Sequence, residues 1–142
     1  MRKHTLFIAF LLLLMACEPC RVSSEPSLGV DFTQQTQIPA FTRVYGLGGN
    51  GQSIPFKSQS INKFPVSLLA DSTVYIFESP TRIDTLTVGY DRSMVEFQKK
   101  RCGFTMRLSN VRLLPSTTFT DARLFSQRST RYEEFTYRVV VY

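Results

Sequence analysis

Apolar residues recur at every second position in short segments along this chain, and that period limits its fold more than any other feature. Leu28, Val30 and Phe32 alternate with Gly29, Asp31 and Thr33. A second run covers residues 41–47, and a third carries Phe64, Val66 and Leu68. Residues 73–77 are apolar on both faces, as an interior strand would be. Asp84, Leu86, Val88 and Tyr90 alternate with Thr85 and Thr87, and Phe104, Met106 and Leu108 with Thr105 and Arg107. The last run sets Phe135, Tyr137, Val139 and Val141 against Thr136 and Arg138. Successive side chains on a strand point to opposite faces, so these runs read as strands with one face buried. Turn-forming residues separate them at 48–51, 70–72, 79–80, 90–93, 109–110 and 115–116. No long segment has helical period with caps. Seven or more short strands at intervals of about 8–12 residues predict an all-β chain, an antiparallel β-sandwich of immunoglobulin-like or similar kind. Pro65 inside its run predicts an edge strand or a bulge. A small outer-membrane barrel is the competing all-β architecture, and Tyr142 is an aromatic of the kind such barrels favour at their end. Barrel strands need about 9–11 residues each with a lipid-facing apolar register on every one, and several runs here are shorter.

The N-terminus has a different character. Arg2 and Lys3 precede an unbroken apolar run from Leu6 to Ala16 that ends in Leu14, Met15, Ala16 and Cys17. The run is short of the roughly 20 residues that span a bilayer and suits the core of a signal peptide. A Leu three places before a cysteine, with a small residue just before it, resembles a bacterial lipobox. Residues 1–16 are then a signal peptide, Cys17 is the first residue of the mature protein and carries a diacylglyceryl group, and residues 17–27 are a polar tether. Residues 28–142 form the domain. Several acyl chains, at about 0.8 kcal/mol per buried methylene, anchor such a protein stably.

Removal of residues 1–16 leaves 126 of the 142 residues, enough for one domain with its own core. Arg2 and Lys3 leave with them, so the net charge falls from +6 to +4. His4, the only histidine, leaves as well. Serine–histidine and cysteine–histidine catalysis and histidine metal sites are thereby excluded from the mature chain. The 12 Phe and 6 Tyr favour pleated, half-buried surfaces and fit the strand reading.

Three cysteines are present. With Cys17 acylated, Cys20 and Cys102 remain, and export puts them where disulfides form. Two readings stay open: a Cys20–Cys102 bridge, whose long loop is worth at most about 4–5 kcal/mol in the chain-entropy model, or two thiols with Cys102 a small core residue. Cys17 and Cys20 imitate a C-x-x-C redox pair but lie in the tether, with no helix behind them to lower a thiol pKa.

Several constellations suggest chemistry and fall short of it. Gly46, Gly48 and Gly51 match G-x-G-x-x-G, and Gln52-Ser53 completes a near-P-loop, yet both motifs need a following helix whose N-terminus receives phosphate. Ile54, Pro55 and Phe56 are poor helix starters, so a hairpin loop that touches a ligand at most with its tip is expected. Lys99, Lys100 and Arg101 form the densest basic run. They offer a contact surface for lipid headgroups or an acidic partner, or guard a strand edge. Asp84, Asp91 and Glu96 are the nearest approach to grouped carboxylates. A glycosidase needs two of them about 5–10 Å apart, and acids on alternating strands are expected to face water. No calcium-loop spacing is present, and nothing calls for a cofactor.

The lipobox, the second cysteine just after it, Tyr90, Phe97, the Cys102-Gly103-Phe104 motif, Leu108 and a β C-terminus together resemble a family of uncharacterised Bacteroidota lipoproteins. The resemblance implies an envelope lipoprotein and supports the Cys20–Cys102 pairing; it implies no activity. Surface export in that phylum is associated with acidic runs after the lipidated cysteine, and here only Glu18-Pro19 stand there. The resemblance therefore implies the periplasmic face of the outer membrane. The expectation from sequence is a non-enzymatic binding or scaffolding module on a lipid anchor. Its partner is an envelope protein or a glycan and not nucleic acid. A structural spacer in an outer-membrane complex, and a carboxylate-based hydrolase, are the alternatives.

Overall fold

The computed structural model describes residues 26–35, 40–47, 52–96, 104–126 and 137–142. Eight strands run in order: β1 (Ser27–Asp31), β2 (Arg43–Gly46), β3 (Ile61–Pro65), β4 (Ser72–Glu78), β5 (Ile83–Glu96), β6 (Phe104–Leu113), β7 (Ala122–Ser126) and β8 (Tyr137–Val141). There is no helix among the described residues. The strands form two four-stranded sheets. Sheet A has the order β3-β1-β8-β7 and sheet B the order β2-β4-β5-β6.

The two sheets share one core. Leu28 and Val30 of β1, Phe64 of β3 and Val139 and Val141 of β8 face Val44 of β2, Tyr75 and Phe77 of β4, and Leu86, Val88 and Tyr90 of β5. Apolar alternation is the cause, since each register pairs inward residues with inward residues: Leu28 with Phe64 and Tyr137, Tyr75 with Leu86, Val44 with Phe77. The all-β sandwich expected from the alternation is the observed architecture. β4 is interior to its sheet, as its two apolar faces predict, and β3, which ends on Pro65, is an edge strand. Asn62 lies in the same inward row as Phe64. It is tolerated there because it accepts from the Lys57 amide at 2.7 Å and donates to the Lys57 and Ser60 carbonyls at 2.9 and 3.0 Å.

One end of the core is aromatic. The Phe32 ring meets Phe41, Phe56, Phe77 and Phe119 edge-on, with centroids 5.4–5.6 Å apart. Such pairs are worth about 0.5–1.5 kcal/mol each beyond the area they bury.

Three features depart from the alternation pattern. The sandwich is not wholly antiparallel: β1 pairs antiparallel with β3 but parallel with β8. The turn signals at 90–93 and 109–110 do not end strands. They face each other inside the long β5–β6 hairpin, where Gly89 pairs with Arg112 and Asp91 with Ser109, so two residues of β6 oppose one of β5. This is a β-bulge, and Asn110 takes its left-handed position with a φ of 47°. The Asn110 amide donates to Asp91 at 2.6 Å and fixes the bend. Finally, β7 has no alternation signal strong enough to predict it. Only Ala122 and Leu124 face the core, and Phe125 is exposed.

Beyond Leu113 the chain leaves regular pairing but keeps satisfying β5. Leu114 N donates to the Thr87 carbonyl at 2.9 Å, and Thr85 and Thr87 amides donate to the Thr118 and Thr117 hydroxyls at 2.8 and 3.1 Å. Side-chain hydroxyls thus stand in for ladder partners along that edge.

Candidate functional site

Two of the clefts on the sandwich are lined by described residues. The first, of about 410 Å³, lies where edge strand β2 of sheet B meets edge strand β3 of sheet A, and Gly46, Gln52, Ser53, Lys63, Ser67 and Thr73 are among its walls. Gly46, Leu47 and Gln52, at the two ends of the glycine-rich segment, border it; residues 48–51 lie outside the described residues. The chain leaves β2 at Gly46 and returns antiparallel, with Ser53 opposite Tyr45 and Ile54 N donating to the Val44 carbonyl at 2.7 Å. The segment after Ser53 is not helical, so the nucleotide motifs lack the helix N-terminus that would receive phosphate, and the Tyr45–Ser53 bridge fits the expected return of the chain.

A hydroxyl cluster stands behind this cleft. Ser67 N donates to Thr73 Oγ1 at 2.8 Å, and Tyr90 OH donates to the Ser67 carbonyl at 2.8 Å. The phenol has a single proton, so Thr73 is the donor in the 2.6 Å contact between its hydroxyl and Tyr90 OH. Tyr75 OH donates to the Pro65 carbonyl at 2.9 Å. Burial raises both phenols above their ordinary pKa, Tyr75 most, so they are neutral donors and not bases. Arg92 continues the same job. It donates to both the Leu68 carbonyl and the Asp71 carboxylate, at 2.7 Å to the latter. The whole set ties the β3–β4 crossover to β5.

The second cleft, of about 340 Å³, lies on the outward face of sheet A and is lined by Gln34, Phe125, Ser126, Arg138, Val140 and Tyr142. Phe125 is 44% exposed and Tyr142 47%. The Arg123 guanidinium sits 5.3 Å over the Tyr142 ring, a cation–π arrangement. Beneath the cleft, Arg138 is paired with Asp31, a carboxylate with no exposed surface. Burial pushes the Asp31 pKa up, but hydrogen bonds from Arg138 and Thr33 outweigh it and hold the carboxyl below its ordinary value. Thr33 N reaches it at 2.8 Å. The alternation places Asp31 on the outward face; its burial there, and its partner 107 residues away, have no local signal.

The carboxylates singled out by sequence do not converge. Asp84 is not water-facing as expected: it is 7% exposed, with Arg82 Nε 2.7 Å away and the Thr118 hydroxyl donating at 3.2 Å. Asp91 is exposed on the opposite face of the strand, held by Asn110. Seven residues at about 3.3 Å each put roughly 23 Å between the two along β5, beyond the 5–10 Å of a glycosidase pair. Glu96 is five residues further on. Among the described residues, no group of three or more Cys, His, Asp or Glu gathers as metal ligands would. Cys17, Cys20 and Cys102, and the basic run Lys99, Lys100 and Arg101, lie outside the described residues.

No protein-family model, no curated protein and no solved structure matches the chain.

Proposed function

We propose that this protein is a lipid-anchored module of the cell envelope that binds or scaffolds a partner and performs no reaction of its own. Cys17 carries the anchor, the tether of residues 17–27 leads into the domain, and a Cys20–Cys102 disulfide holds the domain close to its attachment. The outer membrane, on its periplasmic face, is the location that the lipobox and the sparse acidic residues after it support.

The second cleft carries the binding reading. Two half-exposed aromatic rings, Phe125 and Tyr142, border one concavity on sheet A. A head that serves only as a spacer gains nothing from keeping such rings in water, whereas grouped exposed apolar side chains mark interaction sites.

Crosslinking from the native envelope tests this reading. A photoreactive residue in place of Phe125 in the anchored protein should capture a reproducible, saturable partner, and the same residue in place of Met94 on the β5–β6 hairpin should not. Equal or absent capture from both positions overturns it. The anchor is checked separately: Cys17→Ser should leave the precursor unprocessed and unlabelled by palmitate.

A further inference from the structure

The chain enters the sandwich at one identifiable end. The Pro26 carbonyl, just ahead of β1, accepts from Val66 N at 3.3 Å. Registers carry this end across both sheets. Ser27 pairs with Pro65 at the close of β3, Ser72 at the start of β4 pairs with Gly89, and just past β2 Leu47 N donates to the Val74 carbonyl at 2.8 Å. The β3–β4 crossover closes the end, with Leu68, Leu69 and Ala70 in succession. Leu69 is 93% exposed and Leu47 55%. The β5–β6 hairpin continues past this end but bends at its bulge, where the Leu108 carbonyl meets Tyr137 OH at the start of β8; its Met94 is 70% exposed. Leu69 is held out in water by bonds, not by slack. Its amide donates to Ser67 Oγ at 3.3 Å, the Ser67 carbonyl accepts from Tyr90, and Arg92 donates to the Leu68 carbonyl and the Asp71 carboxylate. The opposite end differs. Ile83, 64% exposed there, stands singly between Arg82 and Asp84, and single exposed apolar residues are ordinary.

We propose that this end of the sandwich docks on the bilayer that holds the anchor, with Leu69 and Leu47 seated at the level of the lipid headgroups and Met94 beside them. The proposal rests on the lipid-anchor reading and names the surface that faces the membrane. The length of the tether argues for this occupant. Pro26 follows Cys17 by nine positions, at most about 3.3–3.6 Å each, so this end stays within about 30 Å of the membrane surface. Attachment that short keeps the bilayer at a high effective concentration here, so weak apolar contact suffices. A second copy or a protein partner has no such tie to this end. Leucine side chains gain by leaving water whatever the charge of the headgroups, so docking needs no anionic lipid. Asp71, two residues from Leu69, is matched by Arg92 at 2.7 Å and meets the headgroups as an ion pair. Successive exposed apolar residues on a rigid crossover are a liability in water and an asset against lipid. Docking fixes the orientation of the domain, with Ile83 and Tyr142 pointed away from the membrane.

The chain has no tryptophan, so one substitution makes a unique fluorescent probe. Leu69→Trp, Leu47→Trp and, at the far end, Ile83→Trp are made in the full chain. Each is purified from the envelope and reconstituted into phosphatidylcholine vesicles with and without brominated acyl chains. All three should keep the wild-type urea midpoint, since the side chains they replace are exposed. Leu69→Trp and Leu47→Trp should lose about half or more of their emission to the brominated lipid, and Ile83→Trp should lose little. Equal quenching of all three overturns the proposal, because no one end then faces the lipid. Palmitate-labelled protein that floats with the vesicles while Leu69→Trp and Leu47→Trp go unquenched overturns the docking and leaves the anchor standing. Blue-shifted but unquenched emission from those two variants assigns the surface to a second copy and also overturns it. Protein that neither takes up palmitate nor floats overturns the anchor and the docking together.

Discussion

Asp31 on the first strand and Arg138 on the last are joined across the parallel β1–β8 pair, with the carboxylate entirely removed from solvent. Removing one member of a buried pair strands the other, at about 3–5 kcal/mol, whereas replacing both is often much milder. Arg138→Met should therefore lower stability by an amount in that range, and the double variant Asp31→Leu/Arg138→Met should recover a large part of it. Urea midpoints of the four proteins in the cycle measure this.

The same pair sets a pH dependence. The Asp31 pKa is lower in the folded state than in the unfolded chain, so its contribution is fully present above the unfolded value near 4. It is lost as pH falls through the folded value. The stability gap between wild type and Asp31→Asn should thus be constant from pH 7 to about 5 and shrink toward pH 2.5. A gap that persists undiminished at pH 2.5 contradicts this assignment.

Phe32 is the hub of the aromatic end of the core. Phe32→Ala should cost about 3–5 kcal/mol, enough to unfold many domains of this size, because four ring contacts and a large buried volume go together. Phe32→Leu should be milder. Denaturant unfolding of the two variants beside Phe125→Ala, expected within about 0.5 kcal/mol of wild type, reads the difference between a core ring and a surface ring.

Asn110 occupies a backbone conformation that glycine adopts freely and β-branched residues resist. Asn110→Gly should fall within about 1 kcal/mol of wild type, with the gain in freedom offset by loss of the bond to Asp91. Asn110→Val should cost about 1–2 kcal/mol or more. If both variants unfold at the same denaturant concentration, the bulge does not require this geometry.

Tyr90→Phe removes one hydroxyl from the cluster behind the first cleft. The Ser67 carbonyl loses its donor and the Thr73 hydroxyl its acceptor, so a loss of about 1–3 kcal/mol is expected. Amide hydrogen exchange should quicken first at Ser67 and Leu69, whose amide bonds depend on the side chains of this cluster.

Sequence alternation makes most of this fold legible because β1, β3, β4, β5, β6 and β8 each bury one row of apolar side chains. Where that condition fails, so does the reading. β7 buries only Ala122 and Leu124, while its Phe125 lines the second cleft and its Arg123 lies over the Tyr142 ring, so its pattern reflects that surface as much as the core. The turn-like residues 90–93 and 109–110 promote a bulge, and local composition does not distinguish a bend within a hairpin from the end of a strand. The parallel pairing of β1 with β8, and with it the Asp31–Arg138 contact, is a long-range choice with no local trace. The cleft follows the same logic. Phe125 and Tyr142 are visible as aromatics, but only the sheet order brings them onto one face with Arg138.

The position of β1 also has a mechanical meaning. Ser27 follows Cys17 by ten residues, so with an anchor at Cys17 and the Cys20–Cys102 bridge reduced, a pull between the membrane and a ligand on β7 and β8 enters the domain along the axis of β1. That strand is gripped on both sides, by β3 and by β8, and is buried along its length. The load then falls on both ladders in shear, so their hydrogen bonds must fail together and not one after another from an end. Asp31 and Arg138 act as a cross-pin between the strand that takes the strain and the one beneath the cleft. A tether attached to an edge strand would instead peel that strand away at low force.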